Sequence, residues 1–341
     1  MSYDVTIGIP FYRSVDTIVQ TLESALSQTY ESIEFLLIDD SGNDGSLAKV
    51  QEMIQYHPRG IDVRIISHEH NLGVAASRNE IIDKAQGEFV YFLDSDDVID
   101  EKTISLLIKH ARKHEAEIVF GSYVKFDLDG RKIIYQYPYK VFTEPDQLAT
   151  FAYRKYGNIQ ASACNYIVKT SLLRTNKHYF HNLNYWEDLV FTFDLVTLVS
   201  RAVLLPDVTY FYFCRPNSLS HYQERDNVSK EEIMQTACAI DYLKQRSPYL
   251  ISKTYYPNRC RQVVMTDFYI ACRILKLGNH IVPKVLNTEI KHMMRHPATF
   301  RQICSFHQSR FNNLFLHILG KSPAFFCVFT IWCLGKVKKL I

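Results

Sequence analysis

Apolar runs and helical periods alternate along the first 125 residues of this 341-residue chain. Residues 5–9 form a short apolar run that predicts a strand, and Ile18, Leu22, Ala25 and Leu26 recur on one helical face behind it. Residues 33–38 predict a second strand and 46–56 a helix, 63–67 a third strand and 74–85 a helix. The run 89–93 predicts a strand buried on both faces, with Ile104, Leu107, Ile108 and Ala111 marking the next amphipathic helix. Repeated strand and helix predict an α/β fold with an open, mostly parallel sheet. Between 126 and 151 the pattern loosens into Tyr-rich strands or loops. Ser171 opens a short helical piece, and Leu189, Phe193, Val196 and Val199 form the apolar face of another after Trp186-Glu187-Asp188. Residues 203–213 predict an aromatic strand pair broken at Pro206-Asp207. Helical stretches over 230–245, 263–277 and 284–295 follow, and a domain boundary is placed near 225.

In such sheets ligands bind beyond the carboxyl ends of the strands. All four early strands end in polar or turn-forming residues: Pro10-Phe11-Tyr12, Asp39-Asp40-Ser41-Gly42, Glu69-His70-Asn71 and Asp94-Ser95-Asp96. Side chains two apart in an extended segment share a side, so Asp94 and Asp96 present two carboxylates together while Ser95 faces away. Paired carboxylates suit a hard divalent cation that shares its shell with water and phosphate. The same acids also read as turn formers or helix caps, Asp97 in particular. No GxGxxG and no Walker-type loop is present to cradle phosphate, which leaves more charge for a metal to neutralise.

Charge divides the chain. Residues 1–215 balance at −8 and 216–341 at +11, and no Asp or Glu follows Glu289. Residues 323–335 are mainly Phe, Val, Ile, Trp, Cys and Leu, followed by Lys336-Val337-Lys338-Lys339. This run is too short to span a bilayer, which needs about 20 residues. It reads either as a segment lying on an anionic membrane surface or as a core helix. Its apolar interleaving argues against nucleic acid as the partner. The chain opens into a strand with no signal-peptide pattern, and its eight cysteines all lie from Cys164 onward without metal-ligand spacing. These features predict a cytoplasmic enzyme.

Five ordered segments resemble the family-two glycosyltransferases, nucleotide-sugar enzymes of GT-A fold. Ile9-Pro10-Phe11-Tyr12 with the helix through Leu22-Glu23-Ser24-Ala25-Leu26 is similar to their opening, and Asp39-Asp40-Ser41-Gly42-Asn43-Asp44 to their nucleoside loop. Asn71-Leu72-Gly73 through Arg78-Asn79, the DxD at Asp94-Ser95-Asp96 and the later Glu187-Asp188 pair complete the set, over roughly residues 3–220. The resemblance implies a catalytic domain over 1–225, with a nucleotide-binding half (1–100) and an acceptor half (101–225), and a basic helical extension over 226–341. It implies donor binding by Pro10, Tyr12, Asp39, Asp40, Arg78 and Asp94, Mn2+ or Mg2+ on Asp94 and Asp96, and Asp188 as catalytic base. A turn at Asp39-Asp40, a solvated Arg78 and a helix start at Glu187-Asp188 are the plain alternatives.

The expected reaction is inverting transfer of one sugar from a nucleotide-sugar, with UDP-sugars implied by resemblance alone, to a glycan or lipid-linked glycan in surface polysaccharide synthesis. One sugar per acceptor is expected because the Gln-x-x-Arg-Trp typical of the processive, chain-polymerising members of the family it resembles does not occur. Near His221 some relatives supply a further metal or phosphate contact, and a plain surface histidine remains open there. A sugar nucleotidyltransferase is disfavoured because Arg13 is the only Lys or Arg before Lys49. A non-catalytic module that only binds nucleotide-sugar or lipid is the other rival, since it need not keep Asp188.

Overall fold

A computed structural model describes residues 3–155, 157–183, 185–215 and 228–341. The chain divides into two compact units, Met1–Leu148 with Ala161–Ser218, and Ala149–Gln160 with Leu219–Ile341.

In the first unit β1 (Tyr3–Phe11), α1 (Ile18–Leu26), β2 (Ile33–Asp39), α2 (Ser46–Tyr56), β3 (Val63–Ser67), α3 (Val74–Lys84) and β4 (Gly87–Phe92) follow the alternation in the sequence. β1 pairs in parallel with β2 and β4, and β2 with β3. Every residue of β2 is buried, the signature of a strand covered on both faces. A Cβ added at Gly8 would stand 2.4 Å from Ile81 Cγ2, so a glycine in β1 is what lets α3 lie close against the sheet. That approach sets Arg78, on α3, beside the strand ends.

Beyond β4 the sheet becomes mixed. The chain continues through β5 (Val98–Ile99), α4 (Thr103–His114), β6 (Ile118–Phe126), β7 (Lys132–Tyr135), β8 (Lys140–Phe142) and α5 (Gln147–Arg154). It then forms β9 (Tyr166–Lys169), α6 (Thr170–Thr175), α7 (Glu187–Leu195) and β10 (Ala202–Phe213). β9 runs antiparallel to both β4 and β6, so β6 regains the direction of β4, and β10 lies parallel to β6. The carboxyl ends of β1, β2, β4, β6 and β10 therefore share one rim. The strand pair expected over 203–213 is instead one twelve-residue strand whose register slips between Leu204 and Tyr210. Pro206 sits in that slip, where a missing N–H breaks no regular ladder.

The second unit contains β11 (Val228–Ser229), α8 (Lys230–Arg246), α9 (Tyr256–Leu277), β12 (Ile281–Val282), α10 (Asn287–Met293), α11 (Phe300–Cys304), α12 (Arg310–Lys321) and α13 (Ala324–Val337). A capping box starts α8: Ser229 Oγ accepts from the Glu232 N–H, and the Glu232 carboxylate accepts from that of Ser229. α9 begins seven residues ahead of its apolar period. In those seven residues Asn258, Arg259 and Gln262 are buried beside Tyr256 and Cys260, and these polar side chains carry no hydrophobic signal. Fully buried Arg259 donates to Tyr153 Oη at 2.7 Å and Ser247 Oγ at 3.0 Å, which anchors residues 149–160 in this unit. α13 buries only Cys327, Ile331 and Gly335 and leaves Phe325, Phe326, Phe329 and Trp332 exposed. Among the described residues no helix is long and apolar enough to cross a membrane.

Candidate active site

The segment after β4 is held from both sides. Ser95 Oγ lies 2.8 Å from Ser14 Oγ, and its carbonyl accepts from Thr17 Oγ1 at 2.8 Å, fastening the middle of the DxD to the loop after β1. Asp97 is buried and accepts from Tyr210 Oη at 2.6 Å and the Phe213 N–H at 2.9 Å. Burial and the charges of Asp96 and Asp94 push its carboxyl well above the usual range. Asp97 is thus a pin to β10 and no helix cap, since α4 starts only at Thr103.

Arg78 joins the two acidic motifs. It is 4% exposed, and its guanidinium donates to Asp94 Oδ1 and Glu187 Oε1, each at 2.7 Å. A solvated Arg78 is thereby overturned, because a buried guanidinium needs the counter-charges that these carboxylates supply. The fork geometry of arginine suits two acceptors at once. Next to it, Asn79 brackets the 180 segment, donating to the Phe180 carbonyl at 2.9 Å and accepting from the Phe180 N–H at 2.7 Å. Phe180 stacks on Phe191 of α7 with centroids 3.8 Å apart, and Phe92 meets both rings edge-on. These contacts seat the start of α7 against β4.

Glu187 and Asp188 occupy the first turn of α7, after Trp186 in a left-handed conformation at φ 66°. With Glu187 turned to Arg78, Asp188 keeps partial access and accepts from the Leu189 N–H at 2.7 Å. Desolvation and the Glu187 charge raise its pKa to about 7, against the opposing pull of Arg78. A carboxylate poised near neutrality is fit for general-base work.

On the other side of the rim, the loops after β1 and β2 lock together. Asp44 accepts from the Val15 and Ser46 N–H groups and from Ser46 Oγ, and a Cβ on Gly42 would stand 2.6 Å from the Arg13 nitrogen. Asp40 is buried, with Oδ1 2.6 Å from His68 Nδ1, and it accepts from the Leu72 and Gly73 N–H groups. Its carboxylate therefore already orders the turn leading into α3. Asp39 makes no side-chain hydrogen bond among the described residues, so its acceptor capacity is unspent. Pro10 is buried in β1, and Tyr12 is 40% exposed at the rim beneath the Arg13 guanidinium.

Arg215, just past β10, carried no motif in the sequence. Its guanidinium donates to the Asp96 carbonyl at 2.9 Å and its Nε lies 3.7 Å from Asp96 Oδ2. The antiparallel pairing of β10 with β5, the short strand just after the DxD, is invisible in local sequence and brings this cation to Asp96. Burial and the Asp94 charge raise the Asp96 pKa to about 6, and Arg215 opposes them. Asp94 and Asp96 form an oxygen donor pair fit for a hard cation completed by phosphate and water. Among the described residues no group of three His, Cys, Asp or Glu forms a closed metal site. His221 lies outside the described residues.

The strand order and this two-carboxylate rim define a GT-A-like α/β protein. A crystal structure of S. aureus TarS 1–349 in complex with UDP-GlcNAc shares the fold at a TM-score of 0.58 and 18% identity, covering 93% of this chain and 90% of that one. The model for glycosyl transferase family 2 matches residues 6–177, and the chain belongs to that family; it is a glycosyltransferase. It is 27% identical over 224 residues to the glycosyltransferase GlyG of Streptococcus pneumoniae, covering 64% of this chain and 73% of that protein. It is 36% identical over 160 residues to an Escherichia coli UDP-Glc:alpha-D-GlcNAc-diphosphoundecaprenol beta-1,3-glucosyltransferase, WfaP, covering 46% of this chain and 58% of the relative.

Proposed function

We propose that this protein moves one sugar from a UDP-sugar to a hydroxyl of a lipid-linked glycan, with inversion and with a divalent metal, in cell-surface polysaccharide assembly on the cytoplasmic side. The observation that carries the reading is Arg78, which holds Asp94 of the DxD and Glu187, the neighbour of Asp188, on one guanidinium. Donor site and base thus stand on one support. UDP and a lipid-linked acceptor are supported by what WfaP acts on and by the UDP-GlcNAc bound to TarS.

Tyr12 and Asp39 receive the nucleoside in this reading, with Asp40 ordering the adjacent turn. Asp188 takes the proton of the acceptor hydroxyl as its oxygen attacks the anomeric carbon opposite the leaving group. Glu187, committed to Arg78, is not free to act as a second nucleophile, which favours a single displacement. Arg215 offers N–H donors to the departing diphosphate. Mn2+ or Mg2+ held by Asp94 and Asp96 supplies Lewis-acid stabilisation of that charge. The test is nucleoside diphosphate release from UDP-Gal, UDP-Glc, UDP-GlcNAc and UDP-GalNAc with cell-envelope lipid acceptors, in Mn2+ or EDTA. Release with one donor, abolished by EDTA and by Asp96→Asn, is expected. Equal release in EDTA sinks the metal role, and a product of retained anomeric configuration sinks the single displacement.

The exposed face of α13 supports peripheral attachment to the inner membrane surface. Phe325 stacks on Phe329 and Phe329 on Trp332, with Lys336 over the Trp332 ring at 5.8 Å. Aromatic residues beside lysines suit an anionic lipid interface. The full chain should sediment with phosphatidylglycerol-containing vesicles, more weakly with phosphatidylcholine alone, and lose sedimentation in the Phe325→Glu, Phe329→Glu double variant. A parent protein that stays in the supernatant with both vesicles ends this reading.

A further inference from the structure

The second unit holds a cavity of about 510 Å³ bordered by the end of α5 and by α9, α12 and α13. Met265, Phe268 and Tyr269 on one face of α9, Phe315 and Leu316 on α12, and Leu334 on α13 give it an apolar wall. The charged lining is all cationic: Arg154, Lys155, Arg261 and Lys338, with no carboxylate among the described lining residues.

Arg261 is the informative member. It is half-buried, and its guanidinium donates to neutral acceptors, Ser309 Oγ at 3.2 Å and the Arg154 carbonyl at 2.8 Å. Among the described residues no acid pairs with it or with Arg154, Lys155 or Lys338. Desolvation pulls the Arg261 pKa down, the mark of a cation without a counter-charge. Elsewhere in this unit the buried cation Lys244 is paired with Asp267. A cavity of this size takes a small organic ligand. The amides of Gln262 and Asn312 complete the lining, and an apolar wall ringed by uncompensated cations selects an anion with an apolar body.

We propose that this cavity binds the phosphate end of a lipid, with the phosphate between Arg261 and Lys338 and the first part of the chain against Phe268, Phe315 and Leu334. Phe315 also belongs to an exposed apolar row with Phe311 and Ile318 on α12, which leads from the cavity to the surface. The site rests on the membrane-facing reading above only for the source of the ligand.

The test is isothermal titration of the full chain with dihexanoyl phosphatidic acid below its micellar concentration, inorganic phosphate and dihexanoyl phosphatidylcholine. Binding of phosphatidic acid at least tenfold tighter than either of the others is expected. It should weaken at least tenfold in Arg261→Gln and severalfold in Lys338→Gln, whose exposed side chain can change without unfolding the unit. Phosphate binding as tightly as phosphatidic acid, phosphatidylcholine binding as tightly, or an unchanged affinity in a folded Lys338→Gln protein would each overturn the site. The Phe325→Glu, Phe329→Glu variant should still bind phosphatidic acid, and Arg261→Gln should still sediment with vesicles, so cavity and membrane face fail separately.

Discussion

Asp188→Asn should lower kcat by about 10²–10⁴-fold while leaving UDP-sugar binding within a factor of about two, the loss usual when a general base is removed. Asn keeps the shape and can still accept from the Leu189 N–H, so α7 should start unchanged. What it loses is the capacity to take a proton. The pH profile adds a sharper criterion. A base with its pKa raised to about 7 is protonated and idle below that value and becomes active as pH rises through it. The parent kcat/KM should therefore climb tenfold per pH unit on the acid side and level off above about pH 7. Removing the Glu187 charge, the second cause of the upward shift, should move that limb to lower pH in Glu187→Gln, provided Arg78 stays in place. An unchanged turnover in Asp188→Asn, measured with acceptor present, removes Asp188 from the base role.

The strands and helices of residues 5–114 were legible because their cores are apolar and periodic, and the acidic strand ends stood out against them. The Arg78 bridge was not. Arg78 and Glu187 are 109 positions apart, and nothing local distinguishes an arginine that holds two carboxylates from one in solvent. Arg215 and the pinning of Asp97 by Tyr210 escaped for the same reason: both depend on how β10 is paired. β9 was missed because it has four residues, and the start of α9 because Asn258, Arg259 and Gln262 interrupt the buried apolar pair Tyr256 and Cys260. Legibility ended where long-range pairing or buried polar groups, rather than hydrophobic period, decide the structure.

The Arg78 bridge yields the other large effect. Arg78→Met removes the cation and leaves Asp94 and Glu187 facing each other without it, in a site where Glu187 is 8% exposed. Breaking one partner from a buried ion pair costs about 3–5 kcal/mol, so urea unfolding of the catalytic unit should shift by that order. Turnover should fall further than stability explains, because Glu187, the neighbour of the proposed base Asp188, loses its anchor. Arg78→Lys keeps the charge but lacks the fork that reaches two acceptors, and should recover stability in part and turnover little. The decisive comparison is the double variant Arg78→Met, Glu187→Gln. Neutralising the stranded carboxylate should return part of the lost stability, giving a coupling energy of about 0.5–3 kcal/mol in a double-mutant cycle, without restoring catalysis. Strict additivity would mean that the two residues touch without depending on each other, and the common support for donor site and base would have to be sought elsewhere.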